Sequence, residues 1–192
     1  HNSDRRQRQM CIRDRMDITM YRISYEMVSG NQGHWSDLST EEISTVRDLM
    51  DTMIPTPSGC FIQGFSHWPL KSIGVEHLSG INLRQEEINW ISTKLTGDVQ
   101  QEALFSYLTE LGCVLRPGFK YGCKWRVYDD DVAKSHAPWL LQPMTEAPVS
   151  WEQTCLSVRL AEGVHKKWVC GLKEDIGDWK FLHIKRWLPG RV

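Results

Sequence analysis

The hydrophobic period of this 192-residue chain changes at Gly112, from two successive helical stretches to short β-rich runs, and that change constrains the fold more than any other feature. From 82 to Leu111 the apolar residues recur at helical spacing. Leu83, Ile88, Ile91 and Leu95 do so across 82–95, and Ala103, Leu104, Tyr107, Leu108 and Leu111 across 99–111. Gly112 then supplies a helix stop. Beyond it, short runs rich in β-formers at 113–116, 124–128 and 139–143 predict strands. Residues 150–161 return to a helical pattern and 164–172 read as an apolar strand. The acidic turn 174–178 follows, and 179–188 forms a last strand. Helix, three strands, helix and two strands predict an α/β domain over roughly 99–192.

Upstream, Ile18 and Met20 alternate with Thr19, Tyr21 and Ile23, which predicts a strand over 17–28 broken at 30–33 by glycines. Ser39-Thr40-Glu41-Glu42 has the form of a capping box. Ile43, Val46, Leu49, Met50 and Met53 follow at helical spacing until Pro55 and Pro57 end the helix. Residues 58–80 scatter Phe61, Ile62, Phe65 and Trp68 among glycines and prolines, predicting a short strand plus loop. His1–Arg15 is rich in arginine and lacks periodicity. It resembles a translated sequencing-adapter remnant and is set aside from fold reasoning, with the expectation that the natural chain starts elsewhere. The run from Asp17 to Tyr25 echoes that from Asp178 to Arg186, with Ile23 and Ile184 in matching places. The first strand is therefore expected to close an earlier copy of the same fold.

Hydrophobic residues make up 41% and charged residues 24%, enough apolar content for a packed core, so wholesale disorder is excluded. The nine tryptophans can fill that core or stack on bases. A formal net charge of −1 rules out a uniformly basic nucleic-acid binder and leaves room for a local basic face. The six cysteines contain no C-x-x-C pair and follow no signal peptide. Reduced, mostly buried thiols in a cytoplasmic protein are expected. No apolar run is long enough to span a bilayer.

The chemistry concentrates in Gly118-Phe-Lys-Tyr-Gly-Cys-Lys-Trp-Arg-Val-Tyr128, followed eight residues later by His136, and in Ser157-Val-Arg-Leu-Ala-Glu-Gly-Val-His-Lys-Lys-Trp-Val169. Together these motifs resemble the catalytic core of the archaeal-type tRNA-splicing endonucleases. The resemblance covers roughly 82–192. It implies a restriction-endonuclease-like mixed sheet flanked by helices, preceded by a small amino-terminal α/β region. On that basis 1–15 is a non-native or disordered segment. Residues 16–80 hold a remnant of an earlier repeat, a linker and an α/β region; 81–112 are a helical lead-in; and 113–192 are the catalytic nuclease domain.

Carried onto this sequence, the resemblance implies Tyr128 as general base, His136 as general acid and Lys166 as the stabilising cation. The implied reaction needs no metal and no cofactor. A ribose 2′-hydroxyl attacks the neighbouring phosphorus, leaving a 2′,3′-cyclic phosphate and a 5′-hydroxyl. The residue types suit those tasks. A histidine holds and delivers a proton near neutrality, and a lysine places positive charge where negative charge develops. A phenol is a weak base at pH 7, its free pKa being about 10. Either an ammonium such as Lys166 favours the phenolate, or Tyr128 only orients the hydroxyl. Of the pair Lys166-Lys167, the position after Val-x selects Lys166, and strand alternation sends the two to opposite faces.

The resemblance further implies that Arg159 and Arg186 sandwich a flipped-out bulge base. The substrate would be precursor tRNA with a bulge-helix-bulge motif. Two cuts require two sites and so a homo-oligomer, a dimer of two-repeat chains in which the 174–178 turn is a candidate assembly element.

Each residue also has an ordinary explanation. A tyrosine at a strand end usually packs, His136 before Ala137-Pro138 can be a loop histidine, and a lysine pair near a strand start is usually solvated. Asp129-Asp130-Asp131 invites a metal, yet consecutive carboxylates on a turn diverge and Glu-x-Lys is missing, so a solvated turn is expected. The competing functions are a non-catalytic structural subunit of the same complex, a metal-dependent DNA nuclease of similar sheet, and an RNA-binding module without chemistry.

Overall fold

The computed structural model describes residues 16–21, 35–97, 103–173 and 179–187. Its elements in chain order are β1 (Met16–Tyr21), α1 (Thr40–Asp51), β2 (Ile54–Thr56), β3 (Gly59–Gln63), β4 (Val75–His77), β5 (Gly80–Arg84), α2 (Gln85–Thr96), α3 (Leu104–Glu110), β6 (Val114–Pro117), β7 (Trp125–Tyr128), β8 (Trp139–Pro143), α4 (Trp151–Gly163), β9 (Lys167–Lys173) and β10 (Trp179–Arg186). The fold is mixed α/β, as expected, and it holds two sheets. The expected glycine break at 30–33, the 174–178 turn, the His1–Arg15 segment and the start of the helix predicted at 99–111 lie outside the described residues.

The chain forms two compact units. One contains Tyr25–Leu115 and Asp129–Ser135. Its sheet runs in the order β2-β3-β5-β4. The capping box at α1 forms as predicted: Ser39 Oγ accepts from Glu42 N at 3.2 Å, and Glu42 Oε2 accepts from Ser39 N at 2.8 Å. Two expectations fail here. The helix predicted over 82–95 starts only at Gln85, because Ile81 and Leu83 are buried at period two and pair with Ile62 and Cys60 of β3. The stretch 58–80 holds strands β3 and β4, with β5 beginning at Gly80. Fully exposed β4 has no alternation to show it, and β2 carries Pro55, a residue tolerated at a sheet edge. Glu87, fully buried, accepts from Gly74 N at 3.2 Å and Arg84 N at 2.9 Å, tying the start of α2 to the strand before it.

The second unit joins β1 to Arg116–Tyr128 and to the chain from His136 onward. Its six-stranded sheet has the order β1-β10-β9-β8-β7-β6. β8 and β9 run parallel; β7–β8, β9–β10 and β1–β10 are antiparallel. β1 lies beside the strand it echoes in sequence, with Ile18 opposite Ile184. Helix α4 packs on the sheet through Val158 and Ala161, which join Cys123, Leu140, Trp168, Cys170 and Ile184 in one core. Six tryptophans (68, 90, 125, 139, 168 and 179) are buried, so most of that large count is core. The five described cysteines are free and buried. Among the described residues no helix is long and apolar enough to cross a membrane.

Candidate active site

Strand register brings two residues of the implied triad, Tyr128 and Lys166, to one end of the sheet, and His136 precedes the strand between them. Val127 of β7 faces Trp139 of β8, and Trp139 faces Lys167 of β9. One residue further along each strand gives Tyr128, Pro138 and Lys166, a row across three neighbouring strands spaced about 4.8 Å apart. His136 and Ala137 lead directly into that row. The parallel pairing of β8 and β9 makes it possible, since both strands start where antiparallel β7 ends.

Local chemistry fixes each member. The Gly118-x-Lys-Tyr-Gly segment forms a tight 3-10 turn at Phe119–Tyr121 ahead of β7. A Cβ on Gly118 would sit 2.3 Å from Cys123 Sγ and 2.8 Å from Cys123 O, so the backbone approach admits only glycine. Gly122 has φ +64°, the left-handed region that closes the turn. Strand β7 then delivers Tyr128, which is buried at 6% exposure. His136 is exposed.

Lys166 is placed by a helix cap, which corrects the sequence argument. Strand β9 starts at Lys167, so alternation does not separate 166 from 167. Instead α4 ends in a Schellman motif: Lys166 N donates to Ala161 O at 2.9 Å and His165 N to Glu162 O at 3.1 Å. His165 takes the left-handed position with φ +57°. The reversed chain sends Lys166 Nζ to Ala137 O at 2.5 Å, beside His136. Burial, and then the charge of Arg126, lower the Lys166 pKa below the ordinary lysine value.

Arg159 lies exposed on α4. Arg186 ends β10 and is gripped by Glu162, one turn beyond Arg159 on the same helix. Glu162 Oε2 accepts from Arg186 Nε at 2.7 Å, and Oε1 accepts from Arg186 N at 2.8 Å. The structure thus links Arg186 to the helix that carries Arg159, through a carboxylate that the sequence argument passed over. Its i, i+3 spacing from Arg159 was the available signal. A second residue passed over is Arg126, which shares a face of β7 with Tyr128 and places its guanidinium carbon 5.9 Å from the Tyr128 ring centroid.

Asp130 and Asp131 of the aspartate triplet bind within their own turn. Asp130 Oδ1 accepts from Asp131 N at 2.7 Å, Asp131 Oδ1 from Ala133 N at 2.9 Å, and Asp131 Oδ2 lies 3.3 Å from Lys134 Nζ. Among the described residues no group of three His, Cys, Asp or Glu is arranged to hold a metal ion.

Residues 99–181 match the family of the tRNA intron endonuclease, catalytic C-terminal domain. The chain is 29% identical over 107 residues to the tRNA-splicing endonuclease of Methanopyrus kandleri, covering 54% of this chain and 59% of that protein. It is 33% identical over 85 residues to that of Thermoplasma volcanium, covering 44% of this chain and 28% of the relative. It is 34% identical over 94 residues to that of Halobacterium salinarum, covering 45% and 27%. The chain thus spans little more than half of the first relative and under a third of the other two. The resemblance carried by the Gly118–Tyr128, His136 and Ser157–Val169 motifs is shown over this stretch.

Proposed function

We propose that this chain carries the catalytic domain of a tRNA-splicing endonuclease, cutting precursor tRNA at bulge-helix-bulge intron junctions. The observation that supports this most is the row at the sheet end, where Tyr128 and Lys166 flank Pro138 and His136-Ala137 lead into it, within a stretch similar to tRNA-splicing endonucleases.

In this proposal Tyr128 takes the proton of the ribose 2′-hydroxyl or orients it, and the oxygen attacks phosphorus. His136 gives a proton to the departing 5′-oxygen. Lys166, held by Ala137 O, faces the charge that accumulates on the phosphorane oxygens. The products are a 2′,3′-cyclic phosphate and a 5′-hydroxyl, and no metal takes part. Arg159 and Arg186 receive a flipped-out bulge base by cation–π stacking. Two cuts per intron call for two sites, hence a homo-oligomer, a dimer of two-repeat chains, working in the cytoplasm.

The test uses an end-labelled RNA with two bulges flanking a short helix, incubated in EDTA with the wild-type protein and with His136→Ala. Cuts in both bulges by the wild type alone support the proposal. Binding without cutting supports a structural subunit, and cutting only on addition of a divalent cation supports a metal nuclease.

A further inference from the structure

The triad leaves one cation at the site unassigned. Arg126 stands two residues before Tyr128 on β7, so both side chains emerge on the same face. Its Nε donates to Pro117 O at 3.0 Å, and the guanidinium lies 5.9 Å from the centroid of the Tyr128 ring. Among the described residues no carboxylate pairs with it. Its terminal nitrogens hold no hydrogen bond there, so the group is anchored at one nitrogen and presents the others. Lys166 is similar: its ammonium is fixed by a neutral carbonyl, Ala137 O, and it feels the charge of Arg126. Two fixed cations that repel each other, each bound to a neutral acceptor, form an arrangement that an anion between them would complete.

We propose that Arg126 is a further phosphate-binding residue of the catalytic site, taking one non-bridging oxygen of the scissile phosphodiester through its terminal nitrogens while Lys166 takes the other. This rests on the function proposed above. The planar fork of a guanidinium suits phosphate geometry better than an ammonium does. Its attachment at Nε to a backbone carbonyl fixes the fork before substrate arrives, so little ordering cost falls on the transition state. The Tyr128 ring beneath it ties the position of the phosphate to that of the attacking hydroxyl.

The experiment compares wild type, Arg126→Gln and Arg126→Lys in the full chain. The single-turnover rate is measured on the bulged RNA. Salt-dependent binding is measured on the same RNA with 2′-deoxy sugars at both cut positions, which blocks cleavage. Melting temperatures accompany both. Arg126→Gln is expected to lower the rate about 100-fold and to reduce the slope of log affinity against log salt by about one phosphate contact. Arg126→Lys should restore the slope and part of the rate. A rate within about threefold of wild type with an unchanged slope overturns the inference. So does a Lys variant as slow as the Gln variant with equally lowered melting, since Arg126 would then serve only to hold Pro117. If the wild type does not cut RNA at all, the proposed function is what fails. The binding slope then decides Arg126 alone: a fall of about one keeps the phosphate contact, and an unchanged slope removes it.

Discussion

Replacing Glu162 by alanine isolates the link between α4 and the end of β10. Two hydrogen bonds disappear: Arg186 N to Oε1 at 2.8 Å and Arg186 Nε to Oε2 at 2.7 Å. The side chains are 37% and 28% exposed, so water screens the ion pair and can take up the abandoned donors. Each bond then contributes about 0.5–1.5 kcal/mol, and alanine returns a few tenths through its higher helix propensity. The net loss is about 1–2 kcal/mol, or about 2–8 °C in melting temperature for a chain of this length. Arg186→Ala keeps the backbone N–H bond and loses only the side-chain bond. A double-mutant cycle between the two positions should therefore return a coupling of about 0.5–1 kcal/mol, less than the full effect of Glu162→Ala. Urea denaturation of the four proteins measures it. A coupling below about 0.3 kcal/mol, within the scatter of independent sites, would refute the claim that Glu162 fixes the Arg186 side chain.

Three further outcomes follow from the same contacts. His165→Gly relieves a left-handed residue at the Schellman position and should stabilise the protein by about 0.5–1 kcal/mol in urea denaturation, after allowing for the extra unfolded entropy of glycine. His183 has its pKa lowered, by burial first and then by Lys167 and Lys185, against a raising effect of Glu162. The unfolded chain then binds its proton more readily, so this contribution to stability is present above the unfolded value near 6.5 and is lost as the pH falls through the lower folded value. His183→Gln should flatten the stability profile between about pH 7 and 5, and an unchanged profile would contradict this. Burial pushes the Cys113 thiol up to about 12 and the Cys123 and Cys170 thiols up to about 11, so alkylation of these three at pH 8 should be negligible by mass spectrometry until denaturant is added.

Much of the fold was legible because period follows burial. The run 139–143 matches β8 at both ends, and the capping box at Ser39 forms as written. The misses share a cause. Leu83 happens to fall at helical spacing from Ile91 although it is buried in β5, and pattern alone does not separate the two when strand and helix abut without a turn. Strand β4 has every residue exposed, so no alternation exists to read. At the site, the motif selected Lys166, but the strand alternation invoked beside it does not apply, since β9 starts at Lys167. The placement comes from the capping geometry around His165, a residue with no glycine to advertise a left-handed turn. Arg126 and Glu162 were hidden because charged residues at half-buried positions look like ordinary surface until their partners are known.

The central claim, attack by the 2′-hydroxyl without metal, is tested most directly by one atom of substrate. A bulged RNA carrying a single 2′-deoxy sugar at one cut position is incubated with the protein in EDTA, and the product ends are identified by mass. Cutting only at the unmodified bulge, with a 2′,3′-cyclic phosphate at the 3′ end of the upstream fragment and a 5′-hydroxyl on the downstream one, is the predicted result. Cutting at the deoxy position, or ends bearing a 5′-phosphate, would contradict it.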